Sequence, residues 1–156
     1  MKPLHSIFIA LIILFFGCSR NTKDNINEKA SVSAVDELPE NPLLLHPITF
    51  SINPKKGTMS TLYGNSTAFE YARNNANSNY PNGAVLYEVS WNQKADSLWY
   101  GANIPKEINQ VERLKFSGDS IPEYELYAGH PLKKVVPKDA KKRIKYMISQ
   151  QMAHNP

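Results

Sequence analysis

One cysteine, Cys18, is all that a chain of 156 residues contains. Beyond that position the fold can hold no disulfide, no thiolate metal site and no cysteine nucleophile. There is no Gly-rich phosphate-binding loop, no His-Glu-x-x-His helix and no Gly-x-Ser-x-Gly elbow. The common signatures of nucleotide binding, zinc peptidase and hydrolase chemistry are therefore missing, and no nucleophile with an adjacent base can be named. Long apolar runs are missing as well. The run Ile7–Phe16 is about half the ~20 residues that a helix needs to cross a ~30 Å hydrocarbon core. Composition nevertheless supports a folded protein: 42% hydrophobic and 21% charged residues are ordinary for a globular chain, and the length suits one domain.

The chain opens on an address. Lys2 supplies a positive start, Ile7–Phe16 an apolar core, and Gly17-Cys18 follows directly. This order reads as a signal peptide. Gly17-Cys18 with Leu14 ahead resembles the lipobox of bacterial lipoproteins, in which the cysteine is acylated and becomes the mature N-terminus. Residues 1–17 are thus expected to be removed, and Cys18 to carry a lipid anchor in the cell envelope, at the outer membrane facing the periplasm. Each buried CH2 of such an anchor adds ~0.8 kcal/mol. Residues 18–41 are polar and without period, which predicts a flexible tether. A domain at 42–156 follows. Lys133, Lys134, Lys138, Lys141, Lys142, Arg143 and Lys145 crowd the last quarter and bring the net charge to +4. The envelope address argues against nucleic acid as the partner, so this crowding reads as a solvated helix face. Adhesion to anionic surfaces through Lys141, Lys142 and Lys145 is a further reading.

The strongest element is Tyr80-Pro81-Asn82-Gly83 running into Ala84–Trp91. A turn signal meets strict alternation: Val85, Tyr87, Val89 and Trp91 on one side, Ala84, Leu86, Glu88 and Ser90 on the other. This predicts a central, half-buried strand. Leu43–Phe50 reads as an apolar opening segment that Pro47 keeps out of the sheet centre. Thr58–Tyr63 reads as a strand, and Asn65 or Ser66 as the cap of a helix ending near Asn74. Leu98–Ala102 is expected to pair back as a hairpin, with Ile104-Pro105 ending that strand. Two further strands are expected at Val111–Phe116 and Tyr124–Ala128. A last helix is expected over Lys138–Met152, with Ala140, Ile144, Met147, Ile148 and Met152 as its apolar stripe.

Thr58–Asn65, Tyr80–Leu86, Trp91, Trp99, Gly101, Ala102, Ile104 and Pro105 together resemble the cytochrome P-460 family over residues 42 to 116, in a lipoprotein branch from Bacteroidetes-type bacteria. The resemblance implies an α+β fold, an antiparallel β-sheet with flanking helices, in a protein that is usually a homodimer. It also implies a c-type haem with hydroxylamine oxidation or nitric oxide binding in the haem-bearing members. The family attaches haem through Cys-x-x-Cys-His near the C-terminus, and this chain has no such motif. Covalent haem is chemically excluded, no catalytic residue is transferred, and no cofactor is expected.

Non-covalent haem is the alternative, with His46 and His130 as candidate axial ligands. Each stands beside a proline and equally suits a loop that caps backbone groups. Tyr63, Tyr87, Trp91 and Trp99 are candidates for an aromatic ligand pocket, with plain core as the competing assignment. Glu123 and Glu125 share one face of a strand about 7 Å apart and are read as solvent-facing charges. The expected function is that of an envelope lipoprotein binding a small ligand or a partner protein, with haem-based redox or gas binding as the alternative.

Overall fold

Branched and aromatic residues at alternating positions favour extended chain, and they dominate the structure. In a computed structural model, residues 27–74, 79–118 and 121–152 are described. Six antiparallel strands form one open sheet in the order of the sequence. They are β1 (His46–Asn53), β2 (Thr58–Gly64), β3 (Val85–Ala95), β4 (Asn103–Lys115), β5 (Glu123–Ala128) and β6 (Lys133–Val135). Two short helices accompany them, α1 (Ser66–Asn74) and α2 (Ala140–Ser149). The expected signal peptide and Cys18 lie outside the described residues.

The expectation of an α+β fold with helices flanking the sheet is overturned. The protein is sheet-dominated, and its helices of 9 and 10 residues reach the core of only one face. Ala68 and Ala72 of α1 and Met147 of α2 pack there on Ile48, Leu62, Leu86 and Leu114. The opposite face presents Tyr87, Val89, Trp91, Val111 and Tyr127. What covers it is not an α-helix but the chain from Asn27 to Leu45, with 3-10 turns at Glu28–Ala30 and Pro42–Leu44, through Ala30, Val32, Leu38, Leu43 and Leu45. The alternation in β3 thus serves two buried faces, where a half-buried strand was expected.

That cover also corrects the tether. Residues 27–41 belong by composition to a flexible segment, yet they are bonded along their length. The Nδ2 of Asn27 donates to the carbonyls of Pro105 and Lys106 (3.1 and 2.9 Å). The indole Nε1 of Trp91 donates to the Ala30 carbonyl (2.9 Å). Asp36 accepts from the Leu132 amide, and the Glu37 amide donates to the Leu132 carbonyl. The segment has too few apolar residues to announce a core element, but a long-range partner for each short stretch holds it in place.

β3 holds the centre, paired with β2 and β4. β4 is a single strand of 13 residues running through Pro105, where Pro105 was expected to end a strand; Leu98–Ala102, expected to be that strand, is the hairpin turn instead. The register against β3 shifts between Ser90 and Trp91 and again between Asn92 and Gln93. Such bulges tolerate a residue without an N–H inside a ladder. The cap of α1 is Asn65, whose Oδ1 accepts from the Ala68 amide (3.0 Å). Gly64 precedes it because a Cβ there would meet Ile48 Cδ1 at 2.8 Å and Ala68 Cβ at 2.9 Å. Among the described residues no helix is long and apolar enough to cross a membrane.

Candidate functional site

The sheet register places Glu88 of β3 directly opposite Glu112 of β4, on the face that the helices cover. Like charges so placed repel. Arg143 of α2 lies over both: its Nε and Nη2 donate to the two oxygens of Glu112 (2.7 and 2.6 Å), and Nη2 also reaches Glu88 (3.0 Å). Ser60 and Gln150 complete Glu88, while Tyr124 and Gln110 complete Glu112. Both carboxylates are buried, at 2% and 0% exposure. Burial raises the Glu88 pKa against the opposing pull of Arg143. Burial would lower Arg143, but its bonds to Glu112 raise it instead. Every acceptor here is occupied, so the cluster is a clamp between α2 and the sheet and not an acid/base pair.

A second cluster occupies the other face. Glu125 accepts from Arg113 (2.8 Å), Lys134 (2.6 Å) and Tyr127 (2.9 Å). Burial acts to push its carboxyl up, yet the bonds from Lys134, Arg113 and Tyr127 prevail and bring it to about 2. For Tyr127, burial and the neighbouring Glu125 push the phenol up to about 12. Glu125 is therefore not the solvent-facing charge expected of it, although Glu123 is exposed. The Arg113 guanidinium stands 5.8 Å from the Tyr87 ring centre. Among the described residues the Tyr87 hydroxyl and Arg113 Nε are buried with no hydrogen-bond partner of ordinary geometry.

A carboxyl held low in the fold stabilises it above its ordinary value of 4.5 and gives that stability up as pH falls toward 2. Glu125→Gln should therefore cost roughly 1–3 kcal/mol at pH 7, discounted for the exposed Lys134 partner. The difference from the parent should shrink between pH 4.5 and 3. Urea midpoints at pH 7, 4.5 and 3 test it, and a pH-independent gap would remove the carboxylate from the explanation. Glu88, raised by burial, carries the opposite sign, and its contribution changes above pH 4.5, outside the Glu125 range.

The expected site residues do not converge. His46 begins β1, exposed, with its ring 4.9 Å from Phe69 and its Nε2 3.4 Å from the Ser66 hydroxyl. His130 lies in the turn after β5, at the opposite end of the sheet and four strands across, a lateral separation alone of roughly 19 Å at ~4.8 Å per strand. Tyr63, Tyr87 and Trp91 do share a face. They form the floor beneath the N-terminal segment, however, and Trp91 uses its N–H to hold it. Trp99 stands apart at the tip of the β3–β4 hairpin, 72% exposed.

One cleft, of about 220 Å³, opens beside His130. Glu28, Lys29, Ser31, Asp36, Ile108 and Leu132 are among its walls. This lies below the ~300–1,000 Å³ of sites that enclose drug-sized ligands, and a haem macrocycle does not fit it. His46, engaged with Ser66 on the far side of the sheet, offers no second ligand. Among the described residues no group of three or more His, Cys, Asp or Glu could hold a metal ion. The cleft and the Arg143 cluster escaped sequence reading because their members are far apart in the chain, and the Glu125 cluster because its members sit on three different strands. A usable signal was Arg143, the one arginine in a run of lysines, since bidentate clamping of carboxylates favours arginine.

No family model matches the chain, and no curated protein matches it.

Proposed function

We propose that the chain is an envelope lipoprotein, held through Cys18, whose sheet domain binds a small polar ligand without catalysing a reaction. The cleft beside His130 carries this reading. It gathers Glu28, Lys29, Asp36 and His130 in a space of about 220 Å³, suited to a small molecule that bears both an anionic and a cationic group. The carboxylates elsewhere support a non-catalytic role, because Arg143, Arg113 and Lys134 neutralise them inside the fold.

Amide chemical shifts of the full chain, titrated with free amino acids and small betaines as probes, test the proposal. A binding probe should move Ser31, Asp36 and Leu132 saturably, and His130→Ala should weaken its binding at least tenfold. Shifts confined to other residues would sink the cleft. A hemin titration giving a Soret band that depends on His46 or His130 would replace this reading with the haem alternative.

A further inference from the structure

The β3–β4 hairpin ends in Leu98-Trp99-Tyr100, whose exposures are 87%, 72% and 108%. Large apolar groups this exposed, and consecutive, mark an interaction site. The loop beneath them is well tied. The Asp96 amide donates to the Ala102 carbonyl (2.9 Å), the Leu98 amide to the Asp96 carboxylate (2.8 Å) and the Ala102 amide to the Trp99 carbonyl (3.1 Å). Gly101, at φ +79°, supplies the left-handed residue that this turn requires. The loop thus bonds its own backbone while sending three large side chains outward.

We propose that this tip inserts into the headgroup region of a lipid bilayer, as a second membrane contact beside the lipid anchor. The inference rests on the lipoprotein reading for its geometry. Asn27, where the described chain begins, is bonded to Pro105 and Lys106 at the shoulder of the same hairpin. Cys18 lies nine positions earlier, at most about 30 Å of extended chain. An acyl chain on Cys18 would therefore enter the bilayer within reach of the tip. Trp and Tyr prefer the interface, where the ring is apolar and the N–H or O–H meets water. Lys94 and Lys106, both exposed, flank the hairpin where anionic headgroups would lie. Of the acidic neighbours, Asp96 bonds the Leu98 amide, and Glu107 is occupied by Asn92 and Lys106.

The two tryptophans make the test. Trp91 is buried at 6% exposure, while Trp99 is open at 72%. The full chain, isolated from membranes, is reconstituted into phosphatidylethanolamine/phosphatidylglycerol vesicles with and without brominated phosphatidylcholine. Bromolipid should quench the Trp99 part of the emission, identified by its disappearance in Trp99→Phe, and Leu98→Ser with Tyr100→Ser should reduce the quenching severalfold. If Trp99 remains open to aqueous iodide and untouched by bromolipid, the tip does not insert and the proposal falls. Intact mass of the same sample decides the anchor separately. Acylated Cys18 without quenching overturns the tip alone. Quenching without acylation supports the tip and overturns the anchor.

Discussion

Arg143→Met should destabilise the protein by about 3–5 kcal/mol, the cost of leaving buried charge without its partner. The lower figure is expected, because the Arg143 side chain keeps 32% of its surface in water. Against a total stability of roughly 5–15 kcal/mol, the loss is large. Its pH dependence separates lost electrostatics from lost packing. Without the guanidinium, Glu88 and Glu112 face each other across the β3–β4 ladder. With Arg143 gone, the largest pull against the burial that raises Glu88 is lost, so the variant should regain stability as pH falls from 7 toward 5. Glu88→Gln with Glu112→Gln, added to Arg143→Met, should recover part of the loss at pH 7. Urea unfolding of these variants at pH 7 and 5 is the measurement. A loss below ~1 kcal/mol that does not vary with pH would show that the cluster does not hold α2 to the sheet.

Trp91→Ala should cost about 3–5 kcal/mol, the usual range for truncating a buried large aromatic. It should also act at a distance. The ring supports the N-terminal segment from below, and its N–H holds the Ala30 carbonyl. Amide exchange should therefore accelerate at Glu37 and Leu132, the residues that bond the segment to the β5–β6 turn. Trp91→Phe keeps most of the packing and loses the hydrogen bond, worth ~0.5–1.5 kcal/mol, and should leave that exchange nearly as slow as in the parent. Unchanged protection in Trp91→Ala would mean that Asn27 and Asp36 hold the segment without help from the ring.

Local signals proved readable where they were complete within a few residues. The alternation from Ala84 to Trp91, the Asn65 cap and the stripe of Ile144, Met147 and Ile148 can each be read without knowing what lies across the core. Signals needing a distant partner were misread. Glu88 resembled a polar residue on a solvent face, because Arg143 lies 55 positions away. Glu125 misled in the same way, since Arg113 and Lys134 sit on neighbouring strands. Residues 27–41 look like linker by composition, and only their bonds to Pro105 and Leu132 make them structure. Pro105 looks like a strand terminator in sequence, but the bulges of β4, where Asn109 and Lys106 are the extra residues, accommodate it. The candidate pocket failed for a further reason. Aromatic residues are the same on a core face and on an exposed tip, and Trp99 differs from Trp91 only in where the chain turns.

The sheet's neighbours follow the sequence, which sets a timetable for a chain that emerges N-terminus first. Each strand can pair as soon as the next one appears, although the opposed Glu88 and Glu112 of β3 and β4 wait for Arg143. The N-terminal cover has a different clock. Its bonds span 61 residues to Trp91, 78 to Pro105, 96 to Leu132 and 97 to Lys134. The cover, made before any strand, is thus fully secured only after the strands it covers. Until Lys134 is available, Tyr87, Val89 and Trp91 belong to an unfinished face. That interval is when a nascent copy is most open to a chaperone, or to another copy of itself.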